Sequence, residues 1–189
     1  MKQLSGNIRT LFLILLIPAI CFTCFSCTKK KEIIVKTDIL KYPSSTGKDF
    51  RTVITDSGKV QLIMSGPIVE QYENLDYPYT EFKKGLSVIF YNGKETPQGL
   101  VVCKYAKYNK TSNIWELKDS VVVENENNEK LETEVLNWNQ TKDLIYTDRF
   151  VKITTPEVVS QGIGFDSDSH LQKRHIKKVS ATITLNDEE

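Results

Sequence analysis

Residues 114–165 read IWELKDSVVVENENNEKLETEVLNWNQTKDLIYTDRFVKITTPEVVSQGIGF. Trp115, Leu117, Val121 and Val123 share one parity, so on an extended strand they share one face. Leu136 and Trp138 repeat the arrangement after a polar turn, and Val151 and Ile153 repeat it again. Lys, Glu, Asn and Asp fall between them and suit a wet opposite face. Strand, turn and strand recur about four times in roughly fifty residues, the spacing of an antiparallel sandwich or meander. No nucleophile, base or metal cluster is set among these residues. What they offer chemically is an apolar surface, suited to packing or to holding a greasy ligand.

The flanking sequence continues the β reading. Arg51–Thr55 is β-branched and is predicted to open the sheet. Asp56–Lys59 has turn chemistry, with Gly58 free to take positive φ. Val60–Glu73 follows as a strand interrupted near Gly66 and Pro67; proline cannot donate to a ladder, so Pro67 marks an edge or a bulge. Tyr72–Tyr79 reads as a loop. Leu86–Tyr91 and Leu100–Tyr108 read as a hairpin pair around Asn92-Gly93, and a last strand runs from about Ile176 to Leu185. No apolar helical stripe of ten residues occurs after the N-terminal run, so an almost purely β domain is predicted over 49–186.

The N-terminus carries the second strong signal. Lys2 and Arg9 precede Leu11–Phe25, an apolar run of 15 residues interrupted by Pro18. That is short for a membrane span, which needs about 20 residues, and the right length for a signal-peptide core. Phe25-Ser26-Cys27 then ends the run, with Thr28 and three lysines behind it. A small residue directly before Cys in this setting resembles a bacterial lipobox. It predicts a lipoprotein signal peptide over 1–26, cleavage before Cys27, lipid on that cysteine, and a tether over 27–48. Cys24 after Thr23 is a weaker match, and an uncleaved short anchor is the alternative. Either arrangement places the remaining chain outside the cytoplasm and ties it to a membrane.

Of four cysteines, cleavage would remove Cys21 and Cys24 and lipidation would use Cys27. Cys103 stays alone, so no intrachain disulfide is available and packing must hold the domain. A lone Cys in a strand-like run is a small hydrophobe before it is a nucleophile. Removing residues 1–26 takes away two of the 25 basic residues and no acidic one, leaving a formal charge of −1. No basic patch of nucleic-acid size exists. His170 and His175 lack partners for zinc, Asp166 and Asp168 lack the rest of a calcium loop, and Gly162-Ile163-Gly164 has no helix behind it to cradle phosphate. No enzyme activity and no cofactor are predicted. Gly162 and Gly164 read instead as a bulge or close approach in a sheet, at a partner-facing edge. A bulky charge at Gly162 is expected there to disturb cleft or edge more than core.

The order of residues also resembles the LptC family, the periplasmic component of the lipopolysaccharide export machine. The matching signature is Trp115-x-Leu117, Val121-x-Val123-x-Asn125, Lys130-Leu131-x-Thr133-x-x-Leu136-x-Trp138, Ile145-Tyr146-Thr147-Asp148, Val151-x-Ile153 and Gly162-Ile163-Gly164-Phe165. Tyr79-x-x-Phe82-x-x-Gly85-x-x-Val88-x-Phe90-Tyr91 looks like the family's earlier strand pair. The departures are turns: Asn127–Lys130 lacks a glycine, and Lys118-Asp119 stands where Gly-Asn is common. The resemblance implies an open V-shaped antiparallel β-jellyroll whose apolar interior accepts lipopolysaccharide acyl chains. It also implies docking by strand addition onto an LptB/LptF/LptG transporter and an LptA-like bridge protein, with energy supplied by the partner. The expected cleft lining is Leu62, Met64, Val88, Phe90, Val101, Trp115, Leu117, Val121, Val123, Leu136, Trp138, Val151, Ile153, Ile163 and Phe165. A structural or small-ligand-binding lipoprotein with a closed sandwich core is the other reading of the same alternation.

Overall fold

The computed structural model describes residues 42–184. Cys27, the signal peptide and most of the tether therefore lie outside the described residues. Eleven strands follow in order: β1 (Ser45–Asp56), β2 (Lys59–Tyr72), β3 (Tyr79–Phe82), β4 (Leu86–Phe90), β5 (Gly99–Cys103), β6 (Tyr105–Asn109), β7 (Ile114–Asn125), β8 (Lys130–Asn139), β9 (Leu144–Thr154), β10 (Val158–Ser167) and β11 (His175–Thr184). All pair antiparallel in one sheet, the arrangement of a β-jellyroll. β1 opens at Ser45, inside the stretch expected as tether.

The sheet is creased, and the crease builds the interior. β2 pairs with β4 through Leu62–Ser65 and with β3 through Glu70–Tyr72, leaving a gap between. β7 likewise pairs with β6 through its first half and β5 through its second. The break runs from strand to strand. Gly66 stands so close to Gly85 that a Cβ on it would lie 2.6 Å from the Gly85 carbonyl oxygen. Lys104 separates β5 from β6 and donates its N–H to the Asp119 carbonyl at 3.0 Å. Asp119 and Ser120 in β7 both take positive φ, 62° and 55°. The register then shifts across Thr133–Asn137 of β8 and across Ile163–Phe165 of β10, where Gly164 has φ 78°. Ladder bonds lost at the crease are replaced locally: Thr133 Oγ1 donates to the Phe150 carbonyl at 2.8 Å, and Thr147 Oγ1 accepts the Arg149 N–H at 3.1 Å.

Two leaves result. One holds β3, β6, the start of β7 and the end of β8; the other holds β4, β5, the end of β7 and the start of β8. Their inner faces meet in one core cluster that includes Phe82, Ala106, Leu117, Val121, Leu131, Leu136, Val151 and Phe165. β1 pairs only with β2, and β11 only with β10, so each presents a free outer edge among the described residues.

Several predicted elements need adjustment. The strand expected over Leu100–Tyr108 divides at Lys104, and the stretch read as a loop ends in β3 at Tyr79. Pro67 lies in a strand paired on both sides, opposite the gap between β3 and β4, so the crease rather than an edge accommodates it. Of the two expected turns without glycine, Asn127–Lys130 is a turn and uses Asn128 at φ 58°, whereas Lys118-Asp119 lies within β7 at the crease, where Asp119 takes positive φ. Asn109–Asn113 and Asn139–Asp143 are matching turns. Asn109 Oδ1 accepts from the Ser112 N–H and Asn139 Oδ1 from the Lys142 N–H, each at 3.0 Å.

Candidate functional site

A cavity of about 570 Å³ lies between the leaves. Trp115, Leu117, Leu136, Trp138 and Ile145 come from one leaf; Leu62, Leu86, Val88, Phe90, Val101 and Val123 come from the other. Each projects inward because a strand alternates and its opposite face is polar. The cross-strand pairs are direct: Trp115 lies opposite Trp138, Leu117 opposite Leu136, and Val101 opposite both Val88 and Val123. Trp115 also stacks with Phe82 and Tyr108, at centroid distances of 5.8 and 4.8 Å.

The rim is polar and comes from the tips of both leaves. Asn92, Lys94, Gln98 and Glu124–Asn127 edge one side; Gln140 and Ser169–Gln172 edge the other. Lys94 is held by Glu126 at 3.1 Å. Leu171 reaches in from the β10–β11 loop. It is 2 % exposed despite a left-handed φ of 59°, which Leu adopts only under constraint. The Asp168 carboxylate helps to hold that loop by accepting the Gln172 N–H at 2.7 Å.

One ion pair joins the two tips. Arg174, just before β11, contacts Glu129 of the β7–β8 turn at 2.7 Å, and Asn125 Nδ2 donates to the same carboxylate at 2.7 Å. Both charges are mostly covered. Arg174→Ala is expected to cost about 1 kcal/mol and to speed amide hydrogen exchange across 168–173, while exchange in β8 stays unchanged. Unaltered exchange in that loop would show that the pair does not hold the tips together.

Nine of the residues in the expected lining border this cavity: Leu62, Val88, Phe90, Val101, Trp115, Leu117, Val123, Leu136 and Trp138. Val121, Val151 and Phe165 point inward too, but at the crease, where they are sealed in the core rather than open to the cavity. Met64 packs against that core, and Ile153 lines a second pocket of about 670 Å³ with Val158, Ile176 and Val179.

Ile163 requires a correction. It is 50 % exposed on the outer face, opposite Phe150, itself 51 % exposed. At the crease Gly164 alone lies opposite two residues of β9, Asp148 and Arg149, and it takes a positive φ of 78°, so Ile163 and Phe165 no longer face the same way. Gly162 and Gly164 also sit on a strand paired on both sides, not at an edge. Bulges lie opposite the two glycines, on β9 and β11, Gly162 makes a close approach to Lys178, and the edge belongs to β11. Leu86, Ile145 and Leu171 are wall residues that the expected lining omits. Ile145 continues the odd parity of Val151 and Ile153 and was legible that way, whereas Leu171 sits in a polar loop and gave no signal.

The apolar walls of the cavity carry no charged, His or Cys side chain among the described residues; Lys94, Glu124, Glu126 and His170 stand at its rim. Burial pushes the Cys103 thiol up to about 11, and its side chain belongs to the core. The main titratable network lies on the outer face of β2, β3 and β6. There Lys83 contacts Glu70 at 2.6 Å and Tyr72 at 3.2 Å, and Tyr105 donates to Glu81 at 2.7 Å. The hydrogen bond to Glu70 raises the Lys83 pKa, and the same bond lowers that of Glu70. Burial, then the bond to Glu81, raises the Tyr105 hydroxyl. Among the described residues no group of acidic, His or Cys side chains is arranged to hold a metal ion.

The site is thus an apolar cleft between two leaves of a jellyroll, with a polar rim. No curated protein matches the chain. A family model described as "Lipopolysaccharide-assembly, LptC-related" matches residues 11–184, from the N-terminal apolar run to the end of β11. The chain therefore belongs to the LptC family, cell-envelope components of lipopolysaccharide transport and not a family of enzymes.

Proposed function

We propose that this protein takes lipopolysaccharide acyl chains between its two leaves, receiving them from an inner-membrane LptB/LptF/LptG transporter and passing them to an LptA-like bridge protein. The observation that carries the reading is the cavity itself, with eleven apolar side chains from the β strands of both leaves and a polar rim at their tips. Acyl chains leave water for such a wall at a gain of about 0.8 kcal/mol per methylene, while the sugar and phosphate portion stays at the rim. A closed sandwich core is the weaker reading, because it would fill this space with side chains. The free edges of β1 and β11 suit strand addition by the two partners. Val53 and Ile54 on the first, and Val179 and Ile183 on the second, are exposed.

A photo-crosslinking residue tests the carrier reading in cells. At Leu117 or Trp138 it should capture lipopolysaccharide; at Lys118, which pairs with Glu116 at 2.9 Å on the outer face, it should not. Equal capture on both faces, or none at the inner positions, would remove the reading.

The anchor is part of the same proposal. Lipid on Cys27 would hold the protein in the periplasm, at the outer leaflet of the inner membrane. Cys27→Ala should leave a larger, unprocessed precursor without lipid. Mass spectrometry of the mature wild-type protein that found an intact Met1 or a bare Cys27 would refute the anchoring.

A further inference from the structure

The segment between β10 and β11 does more than join two strands. It leaves β10 after Ser167, which pairs with Ile145 at the tip of the first leaf, and re-enters the sheet at His175, opposite Asp166. Between those points Ser169, His170, Leu171 and Gln172 line the cavity, while Arg174 lines the second pocket with Ile176 and Val179 of β11. Asn127, on the tip of the other leaf, borders both spaces. Leu171, Gln172 and Arg174 therefore stand between the cavity and a pocket whose wall includes the edge strand.

The segment is held in a way that lets it go. Away from β10 and β11, two polar contacts tie it down among the described residues: the Ser169 N–H reaches the Asp143 carboxylate at a long 3.4 Å, and Arg174 meets Glu129 at 2.7 Å. Its apolar hold is Leu171, which is buried in the core cluster. Burial of that side chain favours the seated arrangement. The left-handed backbone that the seat demands opposes it. Two opposed contributions leave the seated and released states close in free energy, the condition for local opening while the sheet stays whole. The turn is also closed on itself. Asp168 accepts the Leu171 N–H through its carbonyl at 3.1 Å and the Gln172 N–H through its carboxylate at 2.7 Å, so these residues can move as a unit.

We propose that residues 168–174 are a latched gate between the cavity and the second pocket, with Leu171 as the stopper and the Arg174–Glu129 pair as the latch. Seated, the gate separates the two spaces. Released, it joins them into one groove that runs to β11. The gate rests on the carrier reading for what it lets pass, but its opening is a property of the segment and is measured without lipopolysaccharide.

The probe is N-phenyl-1-naphthylamine, an uncharged dye that brightens in apolar surroundings, added to the full-length protein. Trp115 and Trp138 line the cavity and are the only tryptophans in the chain, so energy transfer from them reports arrival there. In stopped flow the wild-type rate should level off with rising dye, because opening limits entry. Arg174→Ala and Glu129→Ala should each raise that limiting rate about fivefold, and Leu171→Ala should raise it further. The swapped pair, Glu129→Arg with Arg174→Glu, should return the rate to within about twofold of wild type, which a merely structural loss would not do. Rates unchanged by the two single charge variants, a swapped pair as fast as either of them, or no transfer in any of the proteins would overturn the gate. None of these results touches the carrier reading, which the crosslinks at Leu117 and Trp138 decide on their own. If Leu171→Ala does not fold, the charge variants and their swap decide alone.

Discussion

Phe165→Ala is expected to lower the unfolding free energy by about 3–5 kcal/mol, the usual loss for a fully buried aromatic cut to a methyl. Phe165 is 0 % exposed and sits just past the crease, paired with Thr147 on one side and Ile176 on the other. The leaves converge there, and Val121 and Val151 are 1 % and 0 % exposed beside the same crease. Little can collapse into the void without moving a leaf. Ile163→Ala, two positions earlier, removes an exposed side chain and should change stability by no more than about 0.5 kcal/mol. Urea unfolding followed by tryptophan fluorescence measures both. Comparable losses in the two variants would mean that Gly164 does not reverse the parity of β10.

Gly162→Ala is the second large effect. An added Cβ would lie 2.4 Å from the Lys178 carbonyl oxygen and 2.4 Å from Ile176 Cγ2. The first contact is backbone and cannot swing aside, so β11 must shift outward. Overpacking of this kind costs about 1–3 kcal/mol, and here the loss falls on a strand held by one neighbour only. Hydrogen exchange should accelerate across 175–184 while β7 and β8 keep their protection. Any partner that adds a strand to the β11 edge should bind more weakly in proportion. Gly162→Arg makes the same collision with a longer chain, so its first consequence is detachment of β11, not an electrostatic disturbance of the cleft. If Gly162→Ala leaves β11 as protected as in the wild-type protein, the close approach is absent in solution.

Much of the architecture is local and was therefore legible. The period-2 alternation of Trp115, Leu117, Val121 and Val123 places one face inward whatever the rest of the chain does. Turn chemistry at Asp56–Lys59, Asn92-Gly93 and Asn127–Lys130 puts the strand ends close to where they are found. On β7 and β8, Trp115, Leu117, Val123, Leu136 and Trp138 of that apolar face line the cavity, while Val121 of the same face is sealed at the crease. The order of motifs from Tyr79 to Phe165 was enough to point to the family.

The crease was not legible, and it decides the rest. Parity across the crease depends on how many residues a strand spends there, and that number is set against its neighbours. β7 inserts two left-handed residues at the crease and keeps its odd positions inward. β8 does not, so Leu131 and Thr133 share their face with Leu136 and Trp138 across a change of parity. β10 spends only Gly164 opposite two residues of β9, and Ile163 faces out. Which leaf covers which, and so which inward side chains line open space and which are sealed, is a contact between residues far apart in the chain. Leu171 shows the limit most plainly. Nothing around it in Asp168–Lys173 distinguishes it from a solvated loop residue, and only the loop's return across the cavity buries it. Sequence alone determined that this protein has an apolar inner face; the tertiary structure decided where that face stays open, because a crease is set by neighbouring strands and not by the strand that bends.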